Sequence, residues 1–566
     1  MGATKKPPLS TLPTGVPGLD EVLGGGIPQY SFNLVAGEPG SGKTTLTQQI
    51  MFANATEERR AVYFTVLGEP ALKMLRYLHQ MTFFDATKIG TAIRIVDLSP
   101  KVLTLDLGEV LESIVAEVKR SDPALVIVDS FRTVVRAQTR AGAGEMELQS
   151  FLQRLAIHLT SWEATSFLVG EYLEDEMRDN AIFTVADSIL WMSQSRDRSA
   201  IVRRLQVMKL RGQRSIPGLH TFRIDDEGVR VFPRIVENIH PSPKPAPRAR
   251  AATGISGLDD LLHGGIPVGD SLLVAGPAGI GKSCTAIQFV MAAPADERSV
   301  LVLFEAEPED YVERAKEMGH DLDAAVRRGS IKVVALKSLD LSVDEVLQTI
   351  MTAVREIGAR RLVIDSVTGF ELALAPPFRD EFRESLYRTM GALVGGDLTT
   401  VLTVEVNESW DELRFSPHAI SFLTENIVLM RYAELGGELK RVLAVVKMRR
   451  SSHSAALHAF EITSGGIVIG PALTEYRGIL TGEPRRRELP LRRAHPGLTD
   501  DEHLVLGILL ASTDATLESI AAATGVDGRV VTRALGRLVS LNYAIAVTEG
   551  ETTRYRPVAR ALGIQT

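Results

Sequence analysis

Short apolar runs alternate with helical patterns of polar and apolar residues along the first half of the chain. Residues 61–66 and 124–128 predict buried strands, whereas residues 70–80 and 107–120 predict amphipathic helices. Strands that are apolar throughout are typical of parallel sheets with helices on both faces. The pattern therefore predicts an α/β fold built on a mostly parallel sheet.

The second half repeats this order, with predicted strands at 300–304 and 361–364 and predicted helices at 308–318 and 343–357. The fifteen residues that begin at Thr253 match those that begin at Thr14 at ten positions. The repeated unit has the size of a domain, so we infer a tandem duplication rather than a solenoid.

Each half carries the sequence G-x-x-x-x-G-K-[ST] between an apolar run and a helical pattern. In such a P-loop the backbone N–H groups surround phosphate oxygens, the Lys reaches the β- and γ-phosphates, and the hydroxyl binds Mg²⁺. The pattern therefore predicts two sites for ATP and Mg²⁺. The predicted ATP-binding residues are Gly37, Gly40, Ser41, Gly42, Lys43, Thr44 and Thr45 in the first half, and Gly276, Gly279, Ile280, Gly281, Lys282, Ser283 and Cys284 in the second.

Two aspartates, Asp129 and Asp365, each follow a predicted buried strand. A P-loop fold places there the acid that holds Mg²⁺, so we expect Asp129 to act with Thr44 and Asp365 with Ser283. The alternative is a strand-end aspartate that only caps the following turn.

Hydrolysis also needs a carboxylate that orients or deprotonates the attacking water. The strand that follows the second P-loop helix ends near Glu305, the leading candidate, with Glu307 in reserve. The first half has Leu67 and Gly68 at this place, and Glu69 is shifted toward the next helix. We therefore expect the first half to bind nucleotide well and to hydrolyse it poorly.

Linkers and composition divide the chain. We expect a flexible tail at 1–10, a first ATP-binding domain at 11–239, a proline-rich linker at 240–251, a second ATP-binding domain at 252–481, a basic linker at 482–497 and a small domain at 498–566. The chain is 45% hydrophobic and has a net charge of -7. This charge does not indicate nucleic acid or an anionic membrane as a binding partner. One cysteine excludes an internal disulfide, and without a membrane-spanning run the expected location is cytoplasmic.

The small C-terminal domain has a different pattern. Three predicted helices and a two-stranded hairpin resemble a winged helix-turn-helix. Arg529, Arg533 and Arg537 fall on one face of the third helix and are candidate contacts to duplex DNA. A wing that contacts protein or mediates dimerisation remains the alternative, because the segment is only mildly basic.

Together the two T-G-[IV]-x-G-L-D segments, the two P-loops, the [IV]-[VI]-D-S strand ends and a late K-[LM]-R resemble the KaiC-type ATPases of the RecA superfamily, over roughly residues 10 to 480. The resemblance implies a hexameric double ring with ATP between subunits, and regulatory protein partners. One subunit would supply the P-loop, and its neighbour would supply Lys209 and Arg211 in the first ring or Lys447 and Arg449 in the second.

The resemblance also implies paired glutamates that activate water, and an autokinase in the second half. Leu67 and Gly68 replace the first pair, while Glu305 survives beside Ala306 in the second. Of the family's adjacent Ser-Thr acceptor pair, Ser421 is kept and Phe422 replaces the other. These departures imply slow hydrolysis at the second ring and at most single-site serine modification.

Two rival functions remain open at this point. One is a DNA-acting recombinase or helicase-like motor, which Arg136 and Arg140 after Asp129 favour but the lack of a nearby aromatic residue disfavours. The other is a nucleotide-gated transcriptional regulator that binds DNA through the C-terminal domain and tolerates Glu305→Gln.

Overall fold

The described part of the chain contains two compact units. Among the described residues, the first unit comprises those within 10–406, 424–432 and 441–470, and the second comprises those within 433–440 and 471–558. The computed structural model describes residues 10–66, 71–104, 107–134, 145–177, 180–197, 200–234, 249–338, 340–379, 382–393, 398–406, 424–449, 451–480, 484–486, 495, 497–511, 515–549 and 552–558. Leu67, Gly68, Glu69, Arg136, Arg140, Ser421 and Phe422 lie outside the described residues.

The first half of the large unit forms a nine-stranded sheet in the order β11-β10-β9-β8-β3-β7-β6-β4-β5. Its strands are β1 (Thr11–Leu12), β2 (Ile27–Pro28), β3 (Phe32–Gly37), β4 (Ala61–Thr65), β5 (Ile93–Asp97), β6 (Leu125–Asp129), β7 (Thr165–Glu171), β8 (Ser188–Asp197), β9 (Ala200–Leu210), β10 (Leu219–Asp225) and β11 (Gly228–Phe232), of which β1 and β2 form a separate pair. Its helices are α1 (Leu19–Val22), α2 (Lys43–Asn54), α3 (Ala71–Leu78), α4 (Ser99–Thr104), α5 (Leu107–Ser121), α6 (Glu145–Ser161) and α7 (Ala181–Val185), with 3₁₀ turns at Ala86–Lys88 and Glu174–Met177.

Six strands of this sheet are parallel, and both of its faces are covered, as the apolar runs predict. Along β3, Val35 packs in the core formed with α2 and α3, whereas Leu34 packs in the core formed with α5 and α6. Both side chains are fully buried because neighbouring residues of a strand face opposite sides. This arrangement places the end of β3, where the P-loop begins, in the middle of the sheet.

An antiparallel extension, β8 to β11, completes the sheet and is absent from the sequence prediction. Its strands mix buried and exposed positions, as in β9, and a register shift between Ile189 and Leu190 interrupts the pairing of β8 with β9. Such half-buried strands lack the continuous apolar run on which the prediction depended. The extension matters because Ile224 of β10 reaches the first P-loop.

The second repeat, at residues 250–472, forms a nine-stranded sheet in the corresponding order β16-β15-β17-β18-β14-β19-β20-β21-β22. Its strands are β12 (Arg250–Ala251), β13 (Ile266–Pro267), β14 (Ser271–Gly276), β15 (Ser299–Leu303), β16 (Ile331–Ala335), β17 (Arg361–Asp365), β18 (Thr399–Glu405), β19 (Asn426–Leu435), β20 (Glu438–Met448), β21 (Leu457–Thr463) and β22 (Gly466–Ala472). Its helices are α8 (Ser256–Leu261), α9 (Lys282–Met291), α10 (Pro308–Glu317), α11 (Leu322–Arg327), α12 (Val343–Ile357), α13 (Val367–Ala373), α14 (Pro376–Arg379) and α15 (Phe382–Leu393).

The repeated Thr-Gly-x-x-Gly-Leu-Asp segment has a structural role. The Thr14 amide and hydroxyl donate to Asp20 at 2.8 and 2.7 Å, and the Thr253 amide donates to Asp259 at 2.8 Å. These hydrogen bonds fold each segment against itself between two short paired strands. Arg250–Ala251, which the sequence assigns to the linker, forms one of those strands.

Arg223 of β10 joins the two halves. Its Nε donates to Glu345 at 2.6 Å, and its other nitrogens donate to the Asp340 carboxylate at 3.1 Å and to the Asp340 carbonyl at 3.0 Å. The hydroxyls of Thr221 and Ser342 lie 2.7 Å apart beside this group. Since Ser342 and Glu345 also form the capping box of α12, Arg223 binds an already ordered helix start.

We expect Arg223→Ala to destabilise the large unit by about 2 kcal/mol, because two part-buried carboxylates lose their partner. The hydrogen bond from Arg223 lowers the pKa of Asp340. The stabilisation therefore holds above the ordinary carboxyl pKa of about 4 and is lost as the pH falls below it. Thermal unfolding at pH 7 and pH 3 measures this, with Arg327→Ala, which breaks an exposed ion pair to Asp323, as the control. Equal unfolding temperatures for the two variants at pH 7 would contradict the assignment.

Within residues 497–558, as far as the structure describes them, three helices accompany a three-stranded sheet in the order β25-β27-β26. The elements of the small unit are β23 (Tyr476–Arg477), β24 (Arg485–Arg486), α16 (Asp500–Ala511), β25 (Ala515–Thr516), α17 (Leu517–Thr524), α18 (Gly528–Ser540), β26 (Ala544–Glu549) and β27 (Thr552–Pro557). One core, which includes Leu506, Leu509, Val531 and Leu535, holds the helices together. The three helices and the two-stranded hairpin follow the predicted order, whereas β24, inside the predicted basic linker, and β25 are additional.

Candidate functional site

The first P-loop connects the end of β3 to the start of α2. Gly42, directly before the helix, has a φ of 97°, and a Cβ there would lie 2.4 Å from Ile224 Cδ1. Gly37 has a φ of 141°, and a Cβ there would lie 1.8 Å from the Met192 carbonyl oxygen. Glycine is therefore required at both ends of the loop, by backbone conformation and by close packing.

Lys43 is buried at the start of α2, and carbonyl oxygens hold its ammonium group. Its Nζ donates to the carbonyls of Gly37 at 3.0 Å and Glu38 at 2.5 Å, and to the Ser41 hydroxyl at 3.3 Å. Burial lowers the pKa of Lys43, although Glu171, Asp129 and Glu38 act in the opposite direction. A phosphate group would supply the negative charge that this partly desolvated cation lacks.

Asp129 is brought next to Thr44 by the sheet. Its carboxylate accepts hydrogen bonds of 2.7 Å from the Thr44 hydroxyl and 2.7 Å from the Tyr63 hydroxyl. Burial raises the pKa of Asp129 despite both hydrogen bonds. A cavity of about 310 Å³ opens over this pair, and its lining includes Gly40, Gly42, Lys43, Thr44, Thr45, Asp129 and Glu171.

The second P-loop has the same lysine arrangement. Lys282 Nζ donates to the carbonyls of Gly276 at 2.9 Å and Pro277 at 2.7 Å, and burial lowers the pKa of Lys282. Gly279 and Gly281 have positive φ values of 72° and 119°. Ser283 is half-buried on the first turn of α9. The lysine therefore occupies an equivalent position in both halves.

Two of the predicted ATP-binding residues of the second loop are buried. Ile280 is fully buried, and Cys284 packs in the same core. Burial raises the pKa of the Cys284 thiol, so this residue is a packing residue rather than a reactive one. Both can offer only backbone groups to a ligand.

The predicted acids of the second half occupy different surroundings. Asp365 accepts a hydrogen bond from Thr403, and the Ser366 hydroxyl donates to Glu305 at 3.2 Å. Glu305 is exposed beside Asp365 and acts electrostatically on Lys282. Glu307, by contrast, forms an ion pair with Lys337. The structure therefore brings Glu305 to the site and ties Glu307 to another side chain.

Two further acids, at the ends of β7 and β18, are not among the site residues predicted from the sequence. In the parallel register Gly37 pairs with Glu171, and Gly276 pairs with Glu405. Each acid therefore lies level with the residue at which its P-loop begins. The only sequence signal is an apolar run that ends in Glu, and strand order is needed to place that run beside β3 or β14.

The four cations expected from the family lie at the other end of the sheets. Lys209 on β9 pairs with Ile189 on β8, and Ile189 pairs with Leu34 on β3. Leu34 lies near the start of β3, about 10 Å along the strand from Gly37. Lys209 Nζ donates to the Thr184 carbonyl at 2.9 Å, and Arg211 lies 3.1 Å from Asp187.

The second half shows the same placement. Lys447 Nζ donates to the Thr424 carbonyl at 2.8 Å, and the Arg449 amide donates to the Glu425 carbonyl at 2.9 Å. These residues flank the start of β19, where Asn426 pairs with Leu272 near the start of β14. Burial lowers the pKa of Lys209 and of Lys447.

The chain contains two P-loops, each between a buried strand and a helix and each beside a strand-end aspartate. These features define a tandem P-loop ATPase with RecA-like domains. The family model described as the KaiC ATPase matches residues 12–235 and again residues 251–474. The chain therefore belongs to the KaiC family of ATPases.

Curated relatives support this assignment over most of the chain. The circadian clock oscillator protein KaiC of Picosynechococcus sp. is 25% identical over 489 residues, which are 84% of this chain and 92% of that protein. The protein of the same name from Synechococcus elongatus is 24% identical over 493 residues, 84% of this chain and 92% of its own. The KaiC protein of Prochlorococcus marinus is 24% identical over 520 residues, which are 88% of this chain and 98% of that protein. No helix among the described residues is long and apolar enough to cross a membrane.

We expect Asp129→Asn to keep or raise the unfolding temperature of the nucleotide-free protein, because burial disfavours the ionised carboxylate. The folded state holds the proton of Asp129 more tightly than the unfolded chain. The wild-type protein therefore loses this contribution as the pH rises from about 4 through the raised pKa of Asp129, and the variant does not. Thermal scans between pH 4 and pH 8 measure the difference, with the exposed Asp226→Asn as control. A variant that is less stable than wild type across this range would show that the ionised carboxylate stabilises the fold.

Proposed function

We propose that each half of the chain binds Mg·ATP at its P-loop. The donor set fits this ligand, because a buried ammonium, a hydroxyl and a carboxylate converge on one cavity in the first half. Thr44 with Asp129, and Ser283 with Asp365, would hold Mg²⁺, which neutralises charge on the β- and γ-phosphates when bound. Lys43 and Lys282 would contact the same phosphates.

The observation that carries the proposal is the position of the four cations. Lys209 and Arg211 lie at the end of the sheet opposite to their own P-loop, as do Lys447 and Arg449. Cations near a γ-phosphate stabilise the charge that develops in phosphoryl transfer. They therefore serve the P-loop of a neighbouring subunit, which makes the ATP site a subunit interface and the assembly a ring, with six subunits by family analogy.

Hydrolysis at the second half is proposed to be slow and to depend on Glu305. Its position beside Asp365 and its exposure support contact with the attacking water. Glu307 is a poorer candidate because Lys337 neutralises it. The family resemblance adds Ser421 as the candidate acceptor of an autophosphorylation reaction.

These proposals can be tested by incubating purified protein with γ-labelled ATP and Mg²⁺. Free phosphate and protein-bound label are then measured over time. We expect phosphate release that falls at least tenfold in Glu305→Gln, and protein label that disappears in Ser421→Ala. Glu309→Gln, an exposed acid of α10, serves as the control. Free phosphate without protein label would reject Ser421 as an acceptor, whereas the absence of both products would reject hydrolysis.

A second role concerns the small unit, which we propose to be a winged helix-turn-helix that contacts duplex DNA. Arg529 and Arg533 are exposed on α18, whose opposite face lies in the core. Arg537 forms an ion pair of 3.4 Å with Glu502, so it is the weakest of the three predicted contacts. We expect the intact chain to bind labelled duplex DNA, and we expect the double variant Arg529→Ala, Arg533→Ala to lose this binding. Unchanged binding, or none by the wild-type chain, would favour a contact with a regulatory protein.

A further inference from the structure

Glu171 occupies a place in the first half that the proposed function leaves without a role. It ends β7, directly beside Gly37, and it lines the same cavity as Lys43, Thr44 and Asp129. In parallel α/β sheets, ligands bind at the carboxyl ends of the strands, and Glu171 is at such an end. The sheet therefore holds this carboxylate at the nucleotide site through main-chain pairing.

The charge of Glu171 acts on the centre of the site. Among the acids that act on the Lys43 ammonium, Glu171 acts most strongly, ahead of Asp129 and Glu38. It is also exposed to solvent, so water reaches it. A carboxylate that lines the P-loop cavity and is open to water is placed to accept a proton from an attacking water molecule.

Neighbouring acids have hydrogen-bonded partners, whereas Glu171 acts on Lys43, Asp129 and Arg132 only through its charge. The Asp129 carboxylate accepts hydrogen bonds from Thr44 and Tyr63, and Glu176 pairs with Arg132. Within the described ranges, no hydrogen bond or ion pair engages the Glu171 carboxylate. Its oxygens are therefore available to accept a hydrogen bond from a water molecule.

The second half keeps an acid at the same register. Glu405 lies beside Gly276, and it is the acid that acts most strongly on Lys282. Only the second half, however, also has Glu305 at the strand end where the first half has Leu67 and Gly68. Both halves therefore have an acid at this register, and in the first half it stands without an equivalent of Glu305.

We propose that Glu171 is the general base of ATP hydrolysis in the first half, an inference that rests on the proposed binding of Mg·ATP at that P-loop. The Glu171 carboxylate accepts a proton from water as the water oxygen bonds to the γ-phosphorus. The bond from that phosphorus to the bridging oxygen breaks, and ADP and inorganic phosphate form. The proton then passes from Glu171 to phosphate or solvent, which restores the carboxylate.

The test uses the full chain with Lys282→Ala, which silences the second P-loop and leaves first-half hydrolysis to be measured. Adding Glu171→Gln should lower phosphate release about 100-fold. ATP affinity should stay the same or become tighter, because one negative charge near the phosphates is removed. Glu174→Gln, an exposed acid three residues away and outside the cavity lining, should leave both quantities within twofold.

A role in catalysis also predicts a pH signature. The Lys282→Ala parent should lose activity at low pH as its base becomes protonated, whereas the residual activity of the Glu171→Gln chain should lack that limb. Glu171→Asp should retain part of the activity and the same limb. Hydrolysis within threefold of the parent in Glu171→Gln, or no hydrolysis by a parent that still binds ATP, would overturn the proposal. Loss of ATP binding in Glu171→Gln would also overturn it, because the acid would then serve only to position Lys43.

Discussion

Replacing Lys282 with alanine is expected to weaken ATP binding at the second half by about 100- to 1000-fold, which corresponds to about 3 to 4 kcal/mol. The lysine is held by the Gly276 and Pro277 carbonyls at the base of the P-loop, from which it can contact phosphate without a rearrangement of the backbone. Its charge-assisted contacts cannot be replaced by water in a partly buried site. Bound nucleotide should fall from two per chain to one.

Lys43→Ala should have the same effect on the first half, and the double variant should bind no ATP. The first-half lysine has an equivalent set of contacts, with carbonyls of Gly37 and Glu38. Equilibrium dialysis with labelled ATP counts the sites, and Lys337→Ala, which removes an exposed cation of the second half, is the control. Two nucleotides per chain in either P-loop variant at micromolar ATP would show that the lysine does not hold the phosphates.

Removing the second-half cations with Lys447→Ala and Arg449→Ala is expected to lower hydrolysis at that half by about 1000-fold. A chain with this change still has an intact P-loop, and a Lys282→Ala chain still has both cations. Mixing the two inactive chains should therefore restore second-half hydrolysis, because an intact P-loop can meet intact cations at a shared interface.

The mixed sample is compared with the average of its two components, and activity above that average reports complementation. The control mixes the Lys447→Ala, Arg449→Ala chain with itself at the same total concentration. Activity equal to the average would indicate that the cations act within their own chain, against their position at the opposite end of the sheet from the P-loop.

Features carried by local sequence could be predicted well. Both P-loops and both strand-end aspartates follow continuous apolar runs, and these runs are buried strands because both sheet faces are covered. The start of α12 is also local, since Ser342 and Glu345, three residues apart in the chain, form a capping box. In each case the residues that determine the structure are neighbours in the sequence.

Features that depend on strand order could not be predicted. Glu171 reaches the site because β7 lies beside β3, and Tyr63 reaches Asp129 because β4 lies beside β6. The antiparallel extension, which brings Ile224 to Gly42, mixes buried, half-buried and exposed positions along its strands. Pairings between segments more than sixty residues apart leave no periodic signal in either segment alone.

A count of nucleotide bound and phosphate released by the intact protein tests most directly whether the chain is an ATPase with two nucleotide sites. We expect two ATP bound per chain in the presence of Mg²⁺, steady release of inorganic phosphate, and loss of both in the Lys43→Ala, Lys282→Ala chain. Stable binding of two ATP without any phosphate release would contradict assignment as an ATPase. Failure to bind ATP would contradict the site itself.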